Sequence, residues 1–476
     1  MSDFIEPRVR YEPKPLPLPH STQRMKFHAL AGNTAGGSTS RILVDNLQNS
    51  MLVTDECYLN FSVQGDINAT DVSSSTTPTP IYLNQNGATN CIRKLEIIHS
   101  GNSILTCDNF NMVASVLNVA SVSYDANNVG CVTNGSSLNI TNALDSVKQQ
   151  QNTGPTLKGM NMNYFGDMIS GSDDNSAKTP IISFSVPILG MLSSCLKHIP
   201  LDWLSSSLEI QITWENDARK IFNSLKSNKP VKQSSSVSVL DINFDTRVNT
   251  YEQASMDLIN QVNGWSKGKE PVNWCGFQYK VSLANITTSQ QNVNSKLETL
   301  IPNSRYKSLQ SILYASFPTN TINSTGDEVG YGSSHWLPFI GISSQQYRLG
   351  SHLIPQQKIN TIQKSNMETM ACFSAVDKSL ASSMMSPSTT ALNERQPNVM
   401  TTTEEVPNRG VIGVDVSTFG DSNQLVSGYN TTNLSISSLQ ETSASPATFS
   451  QQVCYISKIM VLYQMNPENG RISCSF

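Results

Sequence analysis

The sequence predicts an antiparallel all-β protein with room for two domains. Three observations carry this reading. Charged residues make up only 14 % of the chain, against about 25 % in ordinary soluble domains. Its polar surface is therefore Ser, Thr, Asn and Gln, which suit strands and loops better than helices. Period-2 alternation of apolar and polar residues recurs along the chain, as in half-buried strands. Finally, 476 residues is long for one hydrophobic core and comfortable for two.

The chain is organised around Ser183–Glu215. Leu208, Ile210, Ile212 and Trp214 alternate there with Glu209, Gln211, Thr213 and Glu215, which predicts a strand with one buried and one wet face. Before it lie an apolar run, Pro200, and a short turn with Leu201, Trp203 and Leu204.

In chain order, residues 1–27 read as an arm. Pro7, Pro13, Pro15, Pro17 and Pro19 favour extended conformations and oppose strand pairing. Gly32–Ser40 is glycine-rich but lacks the lysine of a phosphate loop, and is expected to be a flexible loop. Cys57, Leu59, Phe61 and Val63 alternate as a strand, with Asp55-Glu56 ahead of it as edge protection. Asn86-Gly87 marks a turn, Ile92–Ile98 the next strand, and Ser100-Gly101-Asn102 another turn. Phe110, Val113, Leu117 and Ala120 form a helical stripe that Asp108 or Asn109 can cap. Residues 121–180 are polar and weakly patterned.

After the central stretch, Val237, Val239, Ile242 and Phe244 mark a strand. Ala254, Leu258 and Val262 mark a short helix stopped by Gly264, and the domain boundary is placed here. Phe277, Tyr279, Val281 and Leu283 open a second strand set. A Met-rich helix is expected within 366–381, with Met370, Phe373 and Leu380 on one side, and a Ser/Thr/Pro loop at 382–408. Val414 and Val416 start the return strands. Val453–Tyr463 is nearly all apolar, as expected of a strand buried on both faces.

Chemistry-bearing constellations are not found. His20, His28, His99, His198, His335 and His352 are dispersed, and the nine cysteines (57, 91, 107, 131, 195, 275, 372, 454, 474) show no metal-ligand spacing. Asp173-Asp174 reads as a solvated turn. Trp203, Trp214, Trp265, Trp274 and Trp336 are the residue type that stacks sugars, but Trp214 lies on the apolar stripe. The expected catalytic, cofactor and metal sites are therefore none. The odd cysteine count and the lack of a signal-peptide core point to reduced thiols in an intracellular assembly compartment. A net charge of −4 gives no strong field for nucleic acid.

Five passages, taken in their order along the chain, resemble one family: CIRKLEIIHSGNSILTCDNFNMVASVL (91–117), the central stretch 183–215, SRYKSLQSILYASFP (304–318), YRLGSHLIPQQKI (347–359) and SGYNTTNLSISSLQ (427–440). They resemble the double jelly-roll major capsid proteins of adenovirus, tailless phages, virophages and polinton-like viruses. The resemblance implies an all-β fold of two consecutive eight-stranded antiparallel jelly-roll barrels, with a few short helices and long loop insertions. It implies an extended arm at 1–27, a first jelly roll at 28–250 with a tower insertion at about 121–180, a connecting helix and linker at 251–275, and a second jelly roll at 276–476 with an insertion at about 382–408. Within 347–359 it implies a glycine turn and a proline that re-aim the chain between sheets. The implied function is a structural capsid protein of an icosahedral DNA virus, forming trimeric pseudo-hexagonal capsomers in the virion shell and assembled inside the host cell. The implied partners are two further copies, neighbouring capsomers, penton and minor capsid proteins, and an inner membrane or core met by the arm, without sequence-specific nucleic acid. The alternative is a carbohydrate-binding or glycoside-cleaving tandem jelly roll.

Overall fold

The computed structural model describes residues 20–68, 79–83, 87–121, 164–168, 176–187, 198–224, 229–230, 235–262, 271–290, 292–318, 342–372, 411–417, 428–442, 451–466 and 468–475. Sixteen strands build two barrels. The first comprises β1 (His20–His28), β2 (Thr39–Val44), β3 (Ser50–Asn68), β4 (Ile92–His99), β5 (Asn102–Asp108), β6 (Ile182–Pro187), β7 (Leu208–Trp214) and β8 (Ser236–Tyr251). The second comprises β9 (Val272–Ile286), β10 (Lys296–Ile301), β11 (Leu309–Pro318), β12 (Ile342–Leu349), β13 (His352–Ile359), β14 (Val411–Asp415), β15 (Ile436–Thr442) and β16 (Gln451–Met465).

The first barrel packs a sheet of order β1-β8-β3-β6 against one of order β2-β7-β4-β5. In the second the orders are β9-β16-β11-β14 and β10-β15-β12-β13, the same arrangement with eight added to each label. Neighbouring strands are antiparallel throughout. The chain changes sheet at every step except the β4–β5 and β12–β13 hairpins, which is jelly-roll topology occurring twice. Both hairpins turn through two residues, Ser100-Gly101 and Gly350-Ser351, between the pairs His99↔Asn102 and Leu349↔His352. Positive φ at Ser100 (49°), Gly101 (80°) and Gly350 (61°) suits the tight turns that match strand twist. A helix follows each hairpin: α1 (Phe110–Ser121) after β5, and, further along the chain, Ile362–Ala371 after β13.

The cores follow from the alternation. On β7, Leu208, Ile210, Ile212 and Trp214 are at most 1 % exposed. Trp214 meets Phe61 edge-on at 5.0 Å, and its indole N–H donates to Ser40 Oγ at 2.8 Å. On β8 the step from Val239 to Ile242 breaks the period of two. The structure has a bulge there, with Asp241 at φ 52° and a register shift between Leu240 and Asn243. Val453–Ile456 and Ile459–Val461 of β16 are buried on both faces.

Several expectations are corrected. The arm does not extend to residue 27: the last arm proline is Pro19, and the proline-free His20–His28 pairs residue for residue with β8 as an edge strand. The second barrel begins at Val272 rather than 276. Asp55-Glu56 lies inside the 19-residue β3 rather than ahead of a strand, and Glu56 pairs with Arg247 at 2.7 Å and Arg24 at 3.6 Å. Glu215 is buried, not wet, because it ends the strand. Its carboxylate accepts from the Asn216 and Asp217 amides, the Asn111 side chain and Lys220. The Gly32–Ser40 loop is pinned across the barrel: Gly36 N–H donates to the Val237 carbonyl and Gly37 N–H to that of Trp214. A side chain at Gly36 would press the Glu215 carbonyl at 2.7 Å, so the glycine serves close approach.

Around Asn109, φ is 52° and it is the backbone carbonyl that meets the Met112 and Val113 amides opening α1. A single turn, α2 (Ala218–Ile221), follows β7; the connecting helix, α3 (Gln253–Val262), buries Ser255 and Met256, while Ala254 and Leu258 face solvent. The Met-rich helix, α4 (Ile362–Ala371), starts earlier than expected because Thr361 caps it by accepting from the Lys364 amide. Met370 is buried against the barrel, Met367 is exposed, and Phe373 and Leu380 lie outside the described residues. Gly350 and Pro355 do not send the chain between sheets, since β12 and β13 are neighbours in one sheet.

Candidate functional site

Two surfaces stand out, and neither is a catalytic pocket. One is the seam between the barrels. It sets β5, the outermost strand of its sheet, against β9, the outermost strand of the other barrel. Gln278 Nε2 donates to the Ile104 carbonyl at 2.7 Å and to Tyr463 Oη at 2.7 Å; Lys280 Nζ donates to the Thr106 carbonyl at 3.1 Å. Side chains of one edge thus satisfy backbone acceptors of the other, so neither edge remains a free template. Burial lowers the Lys280 pKa and pushes the facing Cys107 thiol up to about 12.

The C-terminal strand Ile472–Ser475 closes the seam. It pairs with β16, and the Ile472 N–H donates to His99 Nδ1 at 3.2 Å while Ser205 N–H donates to the Gly470 carbonyl at 3.3 Å. Gly470 has φ 61°, and a Cβ there would collide with the Trp203 carbonyl. His99 is fully buried, and that burial, with Arg471 nearby, lowers its pKa. The sequence reading named His99 only among the dispersed histidines and did not single out Gln278 or Lys280. A seam between two barrels leaves no periodic signal, so only the fold brings them together.

The second surface is one end of the first barrel. Antiparallel order puts the β3–β4, β5–β6 and β7–β8 connections at the same end. There a small extra sheet joins all three, in the order Lys229–Pro230, Phe222–Ser224, Thr79–Leu83, Tyr164–Met168. The expected insertions at about 121–180 and 382–408 fall on the equivalent connections, β5–β6 and β13–β14. Most of the first and all of the second lie outside the described residues.

As for chemistry, no group of three or more His, Cys, Asp or Glu among the described residues is placed to hold a metal. Cys57, Cys91, Cys107, Cys275, Cys372, Cys454 and Cys474 form no disulfide among the described residues; Cys131 and Cys195 lie outside them. Burial raises the pKa of Cys91, Cys107, Cys372 and Cys454, the opposite of an activated nucleophile. Trp203, Trp214 and Trp274 are at most 6 % exposed and offer no sugar-stacking face. Trp265, Trp336, His335 and Asp173-Asp174 are outside the described residues. No helix among the described residues is long and apolar enough to cross a membrane.

No protein-family model matches the sequence, and no curated protein sequence matches it. Solved structures do. The PBCV-1 virus capsid subunit superposes with a TM-score of 0.55 at 7 % identity, over 98 % of this chain and 99 % of that one. The Faustovirus major capsid protein gives 0.57 at 8 % identity, over 97 % and 93 %. The subunit of the Sputnik virophage gives 0.54 at 10 % identity, over 99 % and 92 %. With nearly full coverage on both sides and the same strand order in both halves, the chain has the double jelly-roll fold of these viral capsid proteins.

Proposed function

We propose that this chain is a major capsid protein of an icosahedral DNA virus, a structural shell subunit and not a catalyst. The observation that carries the reading is the repeated topology: two barrels of identical strand order, locked side by side by a hydrogen-bonded seam. Two like barrels in a rigid chain are the unit from which three copies make a six-barrel ring, because cyclic closure needs one heterologous contact repeated around a threefold axis. The fold shared with the PBCV-1, Faustovirus and Sputnik capsid proteins supports the same role. In this reading the trimer meets neighbouring capsomers, penton and minor capsid proteins in the virion shell. The proline-rich residues 1–19 reach a neighbouring subunit or an inner membrane or core. The loop end with its extra sheet forms the outward tower.

Light scattering on purified protein tests the proposal. A stable species of three chain masses is expected; a monodisperse monomer at micromolar concentration under all salt conditions would count against it, and binding on a glycan array by that monomer would point to a sugar-directed protein instead.

A further inference from the structure

Within one chain, β5 of the first barrel meets β9 of the second. In the shared topology β5 corresponds to β13, and β9 corresponds to β1. Among the described residues these two counterparts have no such partner. β1 pairs only with β8, and β13 only with β12, among the described residues.

Burial shows the same asymmetry. Ile104, Leu105 and Cys107 of β5 are buried, whereas on β13 Leu353 is 42 % exposed, Ile354 is half-buried and Gln356, Gln357 and Lys358 are exposed. On β9, Trp274, Cys275, Gly276, Gln278 and Ser282 are buried, whereas seven of the nine residues of β1 are exposed. Counting from the two hairpins, Leu353 and Ile354 stand where Ser103 and Ile104 stand. β9 offers two long donors at a spacing of two, Gln278 and Lys280, to the facing carbonyls. β1 carries two exposed long donors at the same spacing, Arg24 and Lys26, on the face opposite Met25 and Phe27, with Arg24 3.6 Å from Glu56 and 3.9 Å from Asp245.

We infer that β13 of one copy and β1 of a second copy form the subunit interface, repeating the internal β5–β9 seam. The contact is heterologous, so it leaves a free β1 on one side and a free β13 on the other until a ring closes. Side chains of β1 donate to edge carbonyls of β13, and Leu353 becomes covered. The inference rests on the ring proposed above.

The test uses the full chain. In one protein, Arg24 and Leu353 are each replaced by cysteine, R24C and L353C, and joined with a short bis-maleimide. The single substitutions serve as controls. Trimers by light scattering together with covalent two-chain and three-chain bands, absent from both single variants, are the expected result. Trimers without those bands overturn the interface and leave the ring standing; a monomer overturns both. A second arm guards against a labelling failure. R24E with K26E should raise the concentration at which trimers dissociate by about tenfold. R41E, on the outer face of β2, should leave that concentration unchanged. Equal effects of the two changes would overturn the assignment.

Discussion

The two barrels share a strand order and differ in what fills them. The first is mainly apolar: Trp214, Phe61, Phe222 and Phe244 are the largest of its fully buried side chains, with Ile, Leu and Val between them. The second is built around tyrosines, Tyr314, Tyr347, Tyr455 and Tyr463, with Gln278, Gln345, Gln440, Ser311, Ser438 and Ser457 buried beside them. Tyr314 and Tyr455 pack at 5.5 Å, and Trp274 stacks on Tyr463 at 5.5 Å. Gln345 Nε2 donates to Tyr347 Oη at 2.8 Å, as Gln278 does to Tyr463. Burial raises the pKa of all four tyrosines, so they remain neutral hydroxyls. One topology therefore tolerates an apolar core or a hydrogen-bonded one. In the second kind, breaking a pair such as Gln345–Tyr347 leaves a buried polar group without that partner.

The comparison breaks most visibly in the first barrel. Ile212→Asp puts a carboxylate between two sheets with no partner and should cost about 4 kcal/mol or more, with loss of soluble protein. Gln211→Lys, one residue away on the outer face beside Glu209, should stay within about 0.5 kcal/mol. Denaturant midpoints separate the two outcomes, and equal effects would mean that β7 is not half-buried.

The second barrel should respond to a smaller lesion. Tyr347→Phe leaves the Gln345 amide unpaired and should cost about 1–3 kcal/mol. Adding Gln345→Leu removes the orphaned group and should recover part of that loss. A double variant no better than the sum of the singles would show that the tyrosines act by packing alone.

At the seam, Gly470→Ala meets both a positive φ and the Trp203 carbonyl, and should cost about 1–3 kcal/mol. The readout is earlier proteolysis between the barrels, with each barrel's own melting little changed.

The smallest effect is on pH. Burial and Arg471 hold the His99 pKa below 6.5, so the unfolded chain binds its proton first as pH falls. The stability that neutral His99 provides is present above the unfolded value and lost as pH drops through the folded one. Denaturation midpoints at pH 7.5 and 5.5 should separate more in the natural chain than in His99→Gln, whose amide oxygen still accepts from Ile472. The same separation in both would move the pH dependence elsewhere.

The contrast between cores also explains what was legible in the sequence. β7 reads cleanly because its buried face is all apolar. On β9 the apolar stripe Phe277, Tyr279, Val281 and Leu283 is real, yet those residues are only half-buried. The buried side is Trp274, Gly276, Gln278 and Ser282, and its two polar members find partners in Tyr463, Ile104 and Pro302. Alternation gave the strand there and the wrong face. No sequence repeat marks the duplication, since Phe and Trp in one core answer to Tyr and Gln in the other. The seam was illegible for a related reason: its contacts run from side chains to backbone carbonyls, which any sequence offers.

The central claim, two equivalent barrels per chain repeating around a ring, is tested most directly by a cryo-electron microscopy reconstruction of the purified particle. Six barrels in a hexagonal outline, with the β5–β9 seam and its β13–β1 counterpart alternating around it, are predicted. A single chain with its two barrels splayed at no constant angle would contradict the account.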